Sequence, residues 1–373
     1  MRDALARRLG ATLCSATLFI SCSHAPPADF APDPGLVSQI RDIRIMPAYA
    51  RACPGTVLQA NYEAVLIDGS RVPFSRSYDK KHPPRLHVVF LDRGSPEAVT
   101  QQDGDWVTSQ DPLATVSTGF RLTATLRAKP SVTNTVVVPP DYQCMQHAFV
   151  FSGEPGGPGQ AGGNGPDATV RLAIVRSPFY DKLFVGGIEV GLAPPFYVLQ
   201  DATTVPPADW LVIESRGGRG GSGVAGSVGT DGAAGAAGCP AQPGAPGGSG
   251  GNGGPGGSGG RGGRITVVAP VDNPFLAGIV SARSSGGPGG AGGPGGAGGK
   301  GGKGGQGATD TSNRRCPDAA TGPAGQAGQA GPAGSQGAPG PHSIVVSAPG
   351  REIFGMQVPP ELGALLERGQ RRP

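Results

Sequence analysis

Hydrophobic and polar positions alternate with period two along much of the chain. In "FRLTATLRA", Phe120, Leu122, Ala124 and Leu126 fall on one face, with Arg121, Thr123, Thr125 and Arg127 on the other. That is the pattern of a half-buried antiparallel strand. "TVLQANYEAVLIDGSRV" predicts a hairpin, because Asp68-Gly69 accepts the positive φ angles of a tight turn. "RLHVVFLD", "NTVVVP" and "HAFVFSG" read as further strands. So do "TVRLAIV", "KLFVGGIEVG", "FYVLQ", "DWLVIES", "RITVVAP", "AGIVSAR" and "SIVVSAP". A long helical period is missing until the tail, where "PPELGALLERGQRRP" predicts one short helix over 361–368. Short strands at regular spacing predict an all-β chain with a β-sandwich-like scaffold, its first domain spanning 36–150.

Composition changes this picture after residue 150. The 373 residues include 67 Gly and 39 Pro, more than a quarter of the chain, a level typical of low complexity. These glycines keep phase. One recurs at every third position over 217–262, with Ala241 the sole interruption, and again over 286–307, 322–340 and, briefly, 153–165. A three-residue period belongs to the polyproline II helix, with three residues per turn and about 3.1 Å rise. A flexible linker would not keep it. Collagen needs Pro-rich positions, yet 217–238 contains no proline.

The alternative is a polyglycine II bundle. Passes of one chain lie side by side, and each satisfies the backbone groups that a lone polyproline II helix leaves unpaired. Splitting the long run at "GCPAQPG" yields four passes, 217–238, 244–263, 286–307 and 322–340, each about 60–70 Å long at that rise. They would run out and back in antiparallel pairs within a 217–341 segment, with strands over 264–285 joining the second and third. Residues 151–216 supply further strands and 342–373 the last strand and tail. The second and third passes are mostly Gly-Gly-X and the outer two mostly Gly-X-Y. Since each contact face must be glycine, this predicts that the second and third lie inside.

Net charge is +4 with signs interspersed, so nothing in it argues for nucleic acid or an acidic substrate. "SRGGRGGSG" lacks the aromatic interleaving of an RNA-binding segment. The five histidines show no metal-ligand spacing and no nucleophile motif occurs, so no catalytic residue, metal or cofactor is expected. The "DGDW" at Asp103 to Trp106 reads as a turn.

The N-terminus carries a basic start (Arg2, Arg7, Arg8), then an apolar run from Leu9 to Ile20, too short to span a bilayer. Residues 1–21 read as a secretory signal and 22–35 as a Pro-rich tether. Six cysteines fit that route. Cys14 lies in the signal, which leaves Cys53, Cys144, Cys239 and Cys316 beside Cys22, enough for two disulfides in an oxidising compartment. Cys239 and Cys316 fall at the two distal tips of the proposed passes and are expected to pair. Cys53 and Cys144 then pair within the scaffold.

"FISC" resembles a bacterial lipobox, which implies lipid attachment at Cys22 and, with Ser23 following, sorting to the outer membrane; Phe19 departs from the usual Leu or Val, and ordinary signal cleavage is the alternative. The whole chain resembles the glycine-rich or collagen-like surface lipoproteins of myxobacteria and related deltaproteobacteria. Its repeats resemble the polyglycine II bundles of snow flea antifreeze protein and phage tail-fibre adhesin tips. The resemblance implies a non-enzymatic envelope lipoprotein, anchored to the outer membrane or cell surface, with a structural or adhesive bundle; periplasmic or secreted protein is the alternative location. The rival reading is a sandwich that binds a surface glycan or protein through exposed aromatics around Tyr180, Phe184, Phe196, Tyr197 and Trp210.

Overall fold

The computed structural model describes residues 26–203, 210–350, 352–355 and 358–370. The chain is all-β, with two short α-helices, and divides into two units that interleave in sequence. Among the described residues, the first holds 26–50, 57–108 and 120–138; the second holds 51–56, 109–119 and those after 138. The expected single domain over 36–150 is therefore corrected. The disulfide between Cys53 and Cys144, with Cα atoms 6.3 Å apart, and a bridge from Ala52 to Pro140 draw 51–56 into the second unit.

The first unit contains α1 (Pro34–Gln39) and nine strands: β1 (Ile40–Pro47), β2 (Val57–Leu58), β3 (Ala60–Leu66), β4 (Arg71–Pro73), β5 (Leu91–Gly94), β6 (Ala98–Thr100), β7 (Trp106–Thr108), β8 (Phe120–Leu126) and β9 (Thr133–Val138). They form three antiparallel sheets in the orders β1-β3-β4, β2-β7-β6 and β5-β8-β9. Gly69, at φ 86°, turns β3 into β4 as expected. Phe120, Leu122, Ala124 and Leu126 are all buried, as the alternation requires. "RLHVVFLD" departs from expectation: Val88–Phe90 is a 3-10 turn, capped by the His87 ring accepting from the Val89 amide, and only Leu91 onward is strand.

The second unit holds β10 (Ala148–Ser152), β11 (Ala168–Val175), β12 (Leu183–Val190), β13 (Phe196–Asp201), β14 (Leu211–Arg216), β15 (Ile265–Pro270), β16 (Val280–Ser285), β17 (Ile344–Ala348) and α2 (Pro360–Gln370). β10, β14 and β16 make one parallel sheet; β13-β12-β11-β15-β17 make the other, with β11, β15 and β17 parallel. The sheets share a core in which Val170, Leu172, Phe184, Ile265 and Val267 meet Leu211 and Ile213. The opposite face of the five-stranded sheet is covered by Ile353, Leu362 and Leu365. Apolar runs such as "ITVVA" are buried on both faces for this reason.

The connections are what set this unit apart. Each strand of the three-stranded sheet runs into an outbound glycine segment, and each returning segment enters a parallel strand of the other sheet. β10 leads through 153–165 to β11, β14 through 217–263 to β15, and β16 through 286–340 to β17. The short run 153–165 is therefore a third hairpin of the same construction, an addition to the four passes expected.

Candidate functional site: the stacked glycine hairpins

Backbone hydrogen bonds join the passes at every third residue. Gly248, Gly251 and Gly254 donate to the carbonyls of Thr230, Ser227 and Val224, linking 217–238 to 244–263 in antiparallel sense. Gly220, Gly223 and Gly226 donate to Pro288, Ala291 and Pro294, linking 217–238 to 286–307 in parallel. Gly247, Gly250 and Gly253 donate to Pro323, Gln326 and Gln329 of the last pass. Gly293 and Gly296 bond back to Gly254 and Gly251, and Gly328 and Gly331 bond to Gly296 and Gly293. Passes 244–263 and 286–307 thus each bond to three long passes, whereas each of the other two bonds, among the long passes, only to that pair. The last pass joins this ladder from Ala319, before Gly322.

The approach of the chains explains the glycines. A Cβ on Gly253 would overlap the Gly293 carbonyl, one on Gly296 the Ser227 carbonyl, and one on Gly217 the Gly260 carbonyl. Only a residue without a side chain fits there. Residues of the third type point outward, and Arg219, Arg261, Lys300 and Lys303 are solvent-exposed. Some outward side chains accept amides that the backbone lattice leaves over. Asp231 Oδ1 accepts from Lys300, Asn252 Oδ1 from Gln329 and Asn164 Oδ1 from Arg261, at 2.7, 2.8 and 3.1 Å.

The short hairpin stacks only on the base. Gly153, Gly156 and Gly159 donate to Arg216, Arg219 and Ser222, and Gly162 and Gly165 to Ser258 and Arg261. Gly218 and Gly221 face it, and a Cβ on either would strike Glu154 or Gly157. Beyond its turn the same positions become Val224, Ser227 and Thr230, which lie over Gly254, Gly251 and Gly248. The doubled glycines in "GGRGGSG" were the signal for this neighbour.

At the far end, Cys239 and Cys316 are disulfide-bonded with Cα atoms 5.5 Å apart, as their tip positions predicted. Bridges pair Gly238 with Gly307 and Thr309 with Arg315, and Asp310 Oδ1 accepts from the Ser312 and Arg314 amides. At the near end, Glu214 at the head of the first long pass accepts from Arg216 and from the Ser285 hydroxyl; the Arg216 bond chiefly holds its carboxyl below the usual range. His147, beside β10, packs its ring 5.6 Å from that of Trp210, and burial pushes its pKa down, with Gln200 opposing weakly.

Tyr180, Phe184 and Trp210 are 8%, 7% and 6% exposed, and Phe196 and Tyr197 pack against the same cores. Asp103 and Gly104 lie in a turn that leads into β7, with Gly104 at φ 103° and Asp103 Oδ1 accepting from the Asp105 amide. Cys22 lies outside the described residues. Among the described residues no group of three His, Cys, Asp or Glu could hold a metal, and no helix is long and apolar enough to cross a membrane. No family model, curated protein or solved structure matches the chain.

Proposed function

We propose that the protein is a non-enzymatic bacterial envelope lipoprotein whose glycine passes form a polyglycine II bundle, a stiff rod with a structural or adhesive role. The observation that carries this is the repeated bonding of pass to pass, with glycine wherever two backbones meet. Such a lattice fixes the direction of each pass, which a glycine-rich tether does not. The outward residues of the long passes are mostly small, polar or charged, which suits a spacer or a contact surface better than a catalyst. Burial of Tyr180, Phe184 and Trp210 weighs against the exposed aromatic platform that the glycan- or protein-binding reading called for, with Phe196 and Tyr197 partly exposed. Two oxidised pairs fit an extracytoplasmic setting. The lipid at Cys22 would hold the chain to the outer membrane or cell surface.

Anchoring is tested by intact mass and fractionation of the protein and of Cys22→Ala. A mature chain that starts at an acylated Cys22 and sediments with membranes is expected, with the variant moving to the soluble fraction. A mature N-terminus elsewhere overturns the anchor. Circular dichroism of the secreted part should carry a polyproline II signature; its absence overturns the bundle conformation.

A further inference from the structure

In the first unit, a cavity of about 610 Å³ opens beside the 3-10 turn Val88–Phe90 and the start of β5. Three guanidinium groups line it, those of Arg76, Arg93 and Arg127, against one carboxylate, that of Asp103. Arg76 is already committed, ion-paired with Asp105 at 2.7 Å and donating to the Ala60 carbonyl. Arg93 is not neutralised. Its Nη2 donates to the Gln101 carbonyl at 2.6 Å, and the group sits 5.9 Å from the Tyr62 ring and 6.0 Å from that of Trp106. No carboxylate among the described residues lies within ion-pair distance of Arg93 or Arg127.

A half-buried guanidinium, pinned by a carbonyl and two rings without a counter-charge, is a cost to the fold. With Nη2 given to Gln101 and Nη1 buried without a partner, it also holds an uncompensated positive charge at a fixed place beside the cavity, which favours an anion there. Val88 and Leu91 add apolar wall, and the volume suits a ligand the size of a sugar. Ordinary surface arginines are free to move and reach water; Arg93 is held in place.

We propose that this cavity binds an oxyanion group, carboxylate or phosphoryl, carried on a sugar-sized ligand, with Arg93 and Arg127 as its charged contacts. The site stands independently of the bundle, whose residues all belong to the second unit.

Calorimetric titration of the mature chain with glucuronate, inorganic phosphate and glucose at low salt tests it, alongside Arg93→Gln, Arg127→Gln and the control Arg176→Gln. Glucuronate or phosphate should bind at millimolar concentration or tighter, more weakly as salt rises, and glucose should not. Each cavity substitution should weaken binding at least about tenfold, and Arg176→Gln should leave it unchanged. Binding of glucuronate alone assigns a carboxylate, and of phosphate alone a phosphoryl group. Binding of neither, equal binding of glucose, or undiminished binding by both cavity variants overturns the proposal. Arg127 is exposed and unbonded through its side chain, so its variant reports on the site even if Arg93→Gln fails to fold.

Discussion

At the scale of single residues, the missing Cβ decides the second unit. Gly296 is flanked by the Ser227 carbonyl on one pass and bonds to Gly251 on another. Gly296→Ala forces apart two passes that cannot yield independently, because each is bonded to others. We expect a loss of about 1–3 kcal/mol, the range for overpacking a tight interior. Ala297→Val, one residue on and solvent-facing, should be near neutral. Denaturant unfolding of both variants checks the contrast.

His147 and His87 set a pH dependence at the same scale. Burial depresses both rings' pKa values, so the folded state resists a proton that the unfolded chain accepts. Above the ordinary histidine value of about 6.5 both states are neutral and nothing changes. As pH falls below it the unfolded chain binds more protons, and stability drops until the depressed pKa values are reached. The carboxyls of Asp68 and Glu214, held low by hydrogen bonds from Ser70 and Arg216, contribute stability that is lost only at more acid pH. The thermal midpoint should therefore fall between about pH 7 and about pH 5, and His87→Gln with His147→Gln should flatten that fall.

At the scale of elements, the unit that recurs is strand, glycine hairpin, strand. Parallel pairing of β10, β14 and β16, and of β11, β15 and β17, places the hairpins in register before they leave the sheets. Away from that packed base the passes bury almost no apolar side chain, and net hydrogen bonding of about 1 kcal/mol apiece must offset the ordering of glycine. The Cys239–Cys316 disulfide, spanning 77 residues, compensates at the far end. In the loop model it removes about 4–5 kcal/mol of unfolded-state entropy. Reduction should therefore fray the passes from the tip. Hydrogen exchange at Gly235, Gly305 and Ala319 should quicken while Gly217, Gly260 and Gly287 stay protected. Uniform exchange along the passes, or none after verified reduction, would show that the tip tie is not what holds them.

At the scale of the whole molecule, the sequence and the tertiary structure contribute different kinds of information. Period-two alternation named most strands, since each buries one face or both, and it missed the turn at Val88–Phe90, where a His87 cap overrides an apolar run. The glycine period named the long passes and the Cys239–Cys316 pair, because an unbroken three-residue repeat has few breaks and the breaks held those two cysteines; Cys53 and Cys144 followed by elimination. A run of five in-phase glycines over 153–165 is too short to declare itself by period, and only its contacts with Gly218 and Gly221 show why those positions lack side chains. The division into units depends on Cys53 meeting Cys144 across 91 residues, and the cavity depends on Arg76, Arg93 and Arg127 converging from separate strands and turns. Local periodicity is written residue by residue and survives reading in one dimension. Which hairpin lies against which, and which cations gather around one hollow, are set by long-range packing, so those were decided only once the chain had closed on itself.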